Sequence, residues 1–336
     1  MESFALGRSR RPASARRPAP ASRASAAFTL LELLIAIAII GILASLILTV
    51  AGSAYSRARI TQVSVDIQDL AKGIAAFKQK FGVEPPSHIT LYEQASGWNG
   101  DPRSMGLIRQ IWPQFDFTYA ATSGAVDING NGTSNDVIFL SGSECLVFFL
   151  GGMPALNTPN GGGAPTGFSQ NPASPFTLGG SNRDRFMEFD TSRLLLYPPA
   201  NQTVSGILHH SINAYRDPIP NQQQPYLYFS SYNGQGYDIT NELPAGPGSP
   251  GTFADVYRQG PNGATSASPS PPWNANSYQI ISPGFDGASD LTYGGFGIGG
   301  QYDPNTAGSM LVGPAPTGRG PERDNITNFS SATLAP

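Results

Sequence analysis

One apolar segment near the N-terminus constrains the fold of this chain more than any other feature. Residues 28–51 read FTLLELLIAIAIIGILASLILTVA, and Glu32 is the only charged residue among these 24. As a helix the segment would be about 36 Å long, enough to cross the hydrocarbon core of a bilayer. Six arginines and only one acid, Glu2, precede it. The positive-inside rule therefore predicts a single-pass membrane protein with residues 1–27 in the cytoplasm and the remainder outside it.

Glu32 needs a partner, because a carboxylate inside an apolar span costs about 2.5–3.5 kcal/mol even on lenient insertion scales. The surrounding stretch AAFTLLELL resembles the cleavage and methylation signal of type IV prepilins and pseudopilins. The resemblance implies that prepilin peptidase cuts between Ala27 and Phe28 and that the new amine of Phe28 is methylated. It also implies that Glu32 pairs with the terminal amine of a neighbouring subunit in a filament. Ala27 departs from the glycine that the family usually has there.

Two other interpretations of the segment remain open. A cleaved secretory signal usually has an apolar run of 7–15 residues, which is shorter than this one, and rarely contains a glutamate. A plain signal anchor would leave Glu32 without a role. The position of the motif, its glutamate and the long helix that follows favour the prepilin interpretation.

Beyond the apolar segment the hydrophobic residues narrow to a stripe with spacings of three and four, which predicts an amphipathic continuation of the same helix over residues 52–82. The stripe consists of Ile60, Val63, Ile67, Leu70, Ile74, Phe77 and Phe81. Gly82 is the expected C-cap, and Pro85 with Pro86 prevents continuation. Such a stripe also fits a coiled coil. Because it spans only about three heptads and adjoins a globular sequence, we expect it to pack on the chain's own sheet.

The remaining residues, 83–336, are predicted to form an extracytoplasmic head rich in strands and loops. Gly (39) and Pro (30) are abundant and only 13% of the chain is charged, which is typical of short strands and long turns. The expected strands are 137–140, 193–197, 226–232 and 277–282, the last three antiparallel, whereas 145–150 could be a helix or a strand. The single Cys145 is expected to be a buried thiol.

The predicted fold class is therefore α+β, a pilin-like lollipop. A long N-terminal helix, with a membrane half and an amphipathic half, packs on an antiparallel head with Gly- and Pro-rich insertions between about residues 95 and 275. The resemblance implies that residues 1–27 are a basic leader that is removed and that residues 28–51 form the transmembrane and assembly helix.

The C-terminal stretch 277–329 contains a candidate calcium site. Its pieces SYQIISPGFDG and RDNITNF resemble the calcium-binding end of the major pseudopilins of type II secretion. The resemblance implies oxygen ligands from the Pro283 carbonyl, Asp286, Asp324 and Asn325, which suits a hard cation. Asn325 replaces the second acid of the family pair, and Asp290 or Asp303 could substitute for it. The alternative is that these residues only form turns.

A second stretch, DINGNGTSND at residues 127–136, follows the first half of an EF-hand loop. Its twelfth position is Ile138 instead of the bidentate glutamate, so the EF-hand interpretation fails. A plain Asx-rich turn is favoured, and a weaker calcium turn using Asp127, Asn129, Asn131 and Asp136 remains open.

The sequence predicts a structural subunit and not an enzyme. None of the three histidines lies in a metal or nucleophile motif. We expect a subunit that polymerises into a type II secretion pseudopilus from the inner membrane. Its expected partners are copies of itself, minor pseudopilins, prepilin peptidase, the inner-membrane assembly platform and lipid, without nucleic acid. A surface type IV pilus subunit is the alternative function, and a membrane-anchored hydrolase is a further one.

Overall fold

The chain divides into two compact units, Met1–Ala54 and Tyr55–Pro336, and each is described by itself. The computed structural model describes residues 29–118, 126–156, 158, 162–196, 202–204, 206–209, 211–238, 256–260, 270–285, 301–302, 311–312, 323–330 and 333–334. The class is α+β, with a long apolar N-terminal helix and antiparallel strand pairs, as the sequence predicts for a pilin-like fold.

Helix α1 spans Leu30–Phe81 and contains 52 residues. Gly82 follows with a φ of 78°, and its amide donates to the carbonyl oxygen of Lys78 at 2.8 Å. A left-handed residue bonded back into the last turn is the usual way to end a helix at glycine. The predicted single helix and its glycine cap are thus confirmed.

The stripe on the second half of α1 is buried by the chain itself. Its most buried members, at 3% exposure or less, are Val63, Ile67, Leu70, Ile74 and Phe77. The Phe77 ring meets the ring of Phe149 edge-on at 6.0 Å between centroids, and Phe81 meets Trp112 at 5.5 Å. The expectation that the stripe packs on the head is confirmed, so a coiled-coil partner is not needed to bury it.

The remaining elements are short. The other α-helices in the described part of the chain are α2 (Ala95–Trp98), α3 (Pro102–Ile111) and α4 (Gly142–Gly151). The described strands are β1 (Ile89–Tyr92), β2 (Val137–Leu140), β3 (Phe168–Ser169), β4 (Arg183–Asp184), β5 (Leu194–Leu195), β6 (Gln202–Val204), β7 (Ile207–His209), β8 (Ala214–Tyr215), β9 (Leu227–Ser230), β10 (Arg258–Gln259), β11 (Tyr278–Ser282), β12 (Gln301–Tyr302), β13 (Leu311–Val312) and β14 (Ile326–Thr327).

Two small sheets organise the head. One has the order β1-β2-β7-β6, in which β2 and β7 run parallel and the other pairs antiparallel. The other has the order β14-β11-β9 and is antiparallel throughout. The remaining strands form β10-β12-β13 and the pairs β3-β4 and β5-β8. Helix α4 packs against β8 and β9, and α3 packs against β1.

Most of the predicted strands are present. β2 has the predicted bounds, and β9 pairs antiparallel with β11, with Ile280 opposite Tyr228. The prediction for residues 193–197 is only partly right. β5 covers Leu194–Leu195 and pairs with β8, apart from the β9–β11 sheet. A 3₁₀ turn at Thr191–Arg193, begun by the Asp190 carboxylate accepting from the Ser192 amide at 3.0 Å, occupies the start of the predicted strand.

The segment 145–150, open between helix and strand, lies in α4. The Glu144 carboxylate accepts hydrogen bonds from the Ser141 amide at 2.9 Å and hydroxyl at 2.6 Å, which secures the helix start in the manner of a capping box. Every residue of α4 is buried, including Cys145, so the expected buried thiol is confirmed.

A buried ion pair joins α1 to the segment before β5. The Arg193 guanidinium contacts both carboxylate oxygens of Asp66, with Nη1 to Oδ1 at 3.0 Å. The Tyr226 hydroxyl donates to Asp66 at 2.6 Å, and Arg193 also donates to the Arg216 carbonyl oxygen at 2.9 Å. Because both charges are mostly buried and share further hydrogen bonds, loss of one partner leaves the other uncompensated.

The Asp66–Arg193 pair generates a stability prediction. Arg193→Ala should lower the free energy of unfolding of the detergent-solubilised chain by about 3 kcal/mol or more, because a buried carboxylate loses its partner. Denaturant unfolding followed by tryptophan fluorescence measures the change. The matched control is Lys72→Ala, which removes an exposed pair with Asp69 and should change stability by less than about 0.5 kcal/mol. Equal effects of the two changes would refute the prediction.

A second buried carboxylate, Glu93, lies just after β1 and holds the loop that leads into β2. It accepts from the amides of Ile128 at 2.7 Å and Asp136 at 2.8 Å. The pKa of Glu93 is raised to about 8, chiefly by burial and further by the neighbouring carboxylates of Asp136 and Asp127, while the hydrogen bonds from the two amides oppose the shift.

The raised pKa of Glu93 predicts a pH-dependent stability. The unfolded chain releases this proton near pH 4.5 and the folded chain near pH 8. Over that interval the folded state binds more protons, so stability is full below about pH 4.5 and declines as pH rises to about 8. Melting temperatures of wild type minus those of Glu93→Gln should therefore fall from pH 5 to pH 8. Glu188→Gln, at a side chain that is 87% exposed, is the control. A wild-type-minus-variant difference that stays constant with pH would contradict the assignment.

Candidate assembly helix and cation loop

The first half of α1 exposes apolar side chains on every side. None of the residues in its most apolar 18-residue window is buried, and the mean hydropathy of that window is 3.0. Leu30 is 81% exposed, and Ile40 and Ile47 are 63% and 65% exposed. Soluble proteins rarely leave a continuous apolar surface of this kind to water. By length and composition α1 can cross a membrane.

Glu32 is the acid in this apolar surface, and its carboxylate folds back onto the start of the helix. Its Oε2 accepts from the Thr29 amide at 2.9 Å and from the Thr29 hydroxyl at 3.0 Å, while the Glu32 amide donates to Thr29 Oγ1 at 3.2 Å. This is a reciprocal capping box. Sequence reasoning overlooked Thr29, although its three-residue spacing from Glu32 is the signal for such a box.

The predicted processing residues, Ala27 and Phe28, lie outside the described residues. Cleavage between them and methylation of Phe28 remain predictions. Thr29 would then be the second residue of the mature chain and Glu32 the fifth, so the carboxylate and the new amine would belong to the same helix end.

The C-terminal loop brings two of the predicted ligand segments together. The pairing of β11 with β14 sets Ser282 opposite Ile326, and the chain continues from β11 into Pro283 and Gly284. Gly284 has a φ of 75°, and a Cβ there would lie 2.4 Å from the Asp324 carbonyl oxygen. A side chain is therefore excluded at this turn. The Asp324 carboxylate accepts a hydrogen bond from the Phe285 amide.

The other predicted ligands are less closely gathered. Asn325 is fully buried and donates through Nδ2 to the Tyr257 hydroxyl at 3.0 Å, while its Oδ1 has no hydrogen-bond partner in the described part of the chain. Asp286 lies outside the described residues, as do Asp290 and Asp303. Among the residues that are described, no three His, Cys, Asp or Glu side chains converge as a metal site.

A buried network of hydrogen bonds that sequence reasoning missed supports the turn that follows β11. The Asp217 carboxylate accepts from the Ser282 hydroxyl at 2.6 Å, and Ser282 Oγ in turn accepts from the Gly284 amide at 3.2 Å. Gln222 bridges from Asp217, at 3.3 Å, to the Gly284 carbonyl oxygen, at 3.0 Å. Burial raises the pKa of Asp217 to about 6. This network of hydrogen bonds fixes the backbone of residues 282–284.

In the loop at residues 127–136, the carboxylates accept hydrogen bonds from the loop's own backbone amides and side chains. Asp127 accepts from the amides of Gly130 at 2.6 Å and Gly132 at 2.8 Å. Asp136 accepts from the side-chain amides of Asn129 at 3.2 Å and Asn131 at 2.7 Å. These are the bonds of an Asx-rich turn, the favoured interpretation. Calcium binding by this loop stays a prediction.

Comparison with known proteins identifies one segment of the chain. Residues 22–48 match the family model described as the prokaryotic N-terminal methylation motif. Searches of curated proteins and of solved structures gave no match. The matched range contains Ala27, Phe28, Thr29 and Glu32, and it overlaps the exposed apolar half of α1. The chain therefore carries a prepilin-type N-terminal methylation motif at these residues.

Proposed function

We propose that this protein is a pseudopilin-like subunit that polymerises through α1 into the pseudopilus of a type II secretion system. The observation that carries the proposal is the first half of α1, which is apolar on every side, buries nothing and contains the single acid Glu32. Such a helix is stable in a bilayer or among identical helices, and unfavourable in water. Glu32 at the fifth mature position fits a subunit within a filament, since the family's large tip subunit typically lacks this acid.

Assembly through Glu32 follows from the electrostatics of the apolar surroundings. In the bilayer the capping box with Thr29 offers the carboxylate hydrogen bonds but no opposite charge. The positively charged amine created at Phe28 of a neighbouring subunit would supply that charge. An ion pair in a low-dielectric environment is favourable only with close geometry and further hydrogen bonds. The pair would therefore select one register between adjacent helices. In such a filament the head would lie outside the cytoplasm.

The assembly proposal predicts the effect of neutralising Glu32. Glu32→Gln keeps the size and the bond to Thr29 but removes the charge, so the subunit should be cleaved and methylated at Phe28 yet incorporated into sheared filaments at least about tenfold less, since a loss of 1.4 kcal/mol per contact is tenfold. Mass spectrometry of the membrane-extracted protein reads the N-terminus, and immunoblotting of sheared fractions reads incorporation.

The control for this experiment is Asp69→Asn, which neutralises an exposed acid on the second half of α1. Normal incorporation of Glu32→Gln would refute the assembly role, and an N-terminus at Met1 or near residue 54 would refute the prepilin assignment. A deletion strain that loses surface fibres but keeps protein secretion would assign the subunit to a surface type IV pilus instead.

We also propose that the C-terminal loop binds calcium. The turn at Pro283 and Gly284 lies against Asp324, the Asn325 Oδ1 is a buried oxygen without a described partner, and Asp217 and Gln222 hold the turn in place. Calcium takes six to eight oxygens from carboxylates, amides and main-chain carbonyls, a donor set that these residues and Asp286 would contribute. The bound ion would cross-link the end of β11 to the start of β14.

Calcium binding predicts a metal-dependent melting temperature. At a free calcium concentration 100-fold above the dissociation constant, binding to the folded state adds about 2.7 kcal/mol. Calcium should therefore raise the melting temperature of the chelator-treated protein, and magnesium should not. Asp324→Asn and Asp286→Asn should each abolish the increase, while Glu188→Gln should retain it. An unchanged increase in the Asp324 and Asp286 variants would place the ion elsewhere, and no increase in wild type would refute the site.

A further inference from the structure

A cleft of about 490 Å³ opens between one face of α3 and the segment 232–238, and neither calcium nor filament assembly accounts for it. We call it the α3 cleft. The residues that matter for its chemistry are Arg103, Gly106, Gln110, Tyr232, Gln235 and Asp238. Its volume lies in the range of small-molecule sites, which is about 300–1,000 Å³. Its walls are a helix and a turn, so no free strand edge is offered along it by the described residues.

The floor of the cleft contains a glycine that internal packing does not require. Gly106 lies in the interior of α3, where glycine is the poorest helix former after proline. A Cβ built on Gly106 meets no atom within 4 Å. The missing side chain therefore relieves no contact inside the described part of the chain. Its effect is to leave the floor of the α3 cleft open.

Tyr232 forms a rigid aromatic wall of the cleft. Its hydroxyl receives hydrogen bonds from the Ser87 hydroxyl at 3.4 Å and the His88 amide at 3.3 Å, and it lies 2.9 Å from His88 Nδ1. The φ of Tyr232 is 50°, uncommon for an aromatic residue. The contacts of the hydroxyl hold the Tyr232 ring beside the cleft, although the backbone of this residue has an unfavourable φ.

The polar groups that line the cleft include one positive and one negative charge, and they offer both hydrogen-bond donors and acceptors. The Arg103 guanidinium pairs with the Asp238 carboxylate at 2.7 Å, so the two charges cancel locally. Gln110 and Gln235 each add an amide that both donates and accepts. A site with cancelled charges gives no advantage to an ion. It suits a neutral molecule that donates and accepts hydrogen bonds at many positions.

A neighbouring pocket that shares lining residues with the cleft adds a buried acceptor. A smaller pocket of about 10 Å³, room for roughly one water, shares Leu107, Gln110 and Tyr232 with the cleft and is also lined by Glu84. Glu84 is 8% exposed, and its Oε1 accepts from Lys78 and Ser277. Its Oε2 has no hydrogen-bond partner among the described residues. A water in this pocket would donate to Oε2 and leave its oxygen to accept from a ligand hydroxyl.

We propose that the α3 cleft binds a neutral saccharide. Hydroxyl groups donate and accept at once, which matches the paired Arg103 and Asp238, the two glutamines and the water beside Glu84. The Arg103 guanidinium lies 5.7 Å from the centroid of the Tyr232 ring. A sugar ring would therefore lie over Gly106, with its C–H groups against the part of the Tyr232 ring that Arg103 leaves uncovered. A peptide fits less well, because extended peptides are usually held by a free strand edge or by a deep apolar pocket, and the cleft walls provide neither.

The test uses the full-length, detergent-solubilised protein and saturation-transfer NMR. The probes are maltose, cellobiose, lactose and chitotriose as neutral saccharides, a heparin disaccharide as an anionic one, and a neutral Gln- and Ala-containing tetrapeptide. Wild type should show transfer to at least one neutral saccharide. Gly106→Leu should fold at least as stably, because it improves helix propensity and meets no atom at Cβ, and should weaken binding by about tenfold or more.

The matched control is Arg109→Gln, which changes an exposed side chain of the same helix outside the cleft and should leave binding unchanged. Binding that survives in Gly106→Leu overturns the proposal, as does the absence of transfer to every neutral saccharide. Transfer to the heparin disaccharide alone or to the tetrapeptide alone also overturns it, and assigns the cleft to an anion or a peptide. Filament assembly is not needed for any of these readouts, so a failed assembly role leaves this test unaffected.

Discussion

The head depends on burial of one narrow face of α1. The side chains from Val63 to Phe77 on that face are almost completely removed from solvent and join the main hydrophobic cluster. Burying one such side chain contributes about 1.5–3 kcal/mol, a large part of the 5–15 kcal/mol by which a folded domain is stable. The short sheets have few residues each, and this helix face contributes five buried side chains to the core that they share.

The same helix changes character along its length because its sequence pattern changes. Residues 60–81 repeat apolar side chains at spacings of three and four, which leaves charged residues such as Asp69 and Lys72 on the opposite side. Residues 30–47 have no polar face, and none of them is buried. A helix with one apolar face folds onto its own domain, whereas one that is apolar all round needs lipid or other helices. Pattern alone thus separates the half of α1 that packs on the head from the half that is apolar on every side.

The sequence predicts those parts of the fold that depend on local patterns. The α1 face, the Gly82 cap, β2 and the β9–β11 pair all follow from periodicity and turn residues. Segment 145–150 could not be assigned by periodicity, because α4 is buried on all sides. The informative signal was Ser141 three residues before Glu144, a capping box that indicates a helix start. The predicted strand at 193–197 is shortened because Arg193 belongs to a turn and pairs with Asp66, a contact across 127 residues.

In the candidate sites, too, the sequence reveals local patterns but not the contacts made by the tertiary structure. Glu32 is visible in the sequence because it is the only charge in the apolar run of residues 28–51. Asp217 and Glu93 are isolated acids in polar stretches, and such residues are usually exposed. Only the tertiary structure buries them, which raises their pKa values, and supplies the Ser282 hydroxyl and the backbone amides whose hydrogen bonds oppose that shift. The hydrogen-bond network that supports the C-terminal turn therefore could not be predicted, although the turn itself could.

Arginine side chains hold several of the loops that the structure describes in the head. Loop carbonyls lack the ladder bonds of a sheet, and each buried one needs a donor. Arg183 donates to the carbonyl oxygens of Thr177 at 2.8 Å and Gly179 at 2.9 Å and also to that of Gly167, and Arg216 donates to Gln222 at 3.0 Å and Ser192 at 2.9 Å. A guanidinium has five N–H donors in a fixed plane, so one side chain can hold several strands of a loop. The long connections around Arg183 and Arg216 are consequently integral to the folded head, and their length can change only where these carbonyls keep their donors.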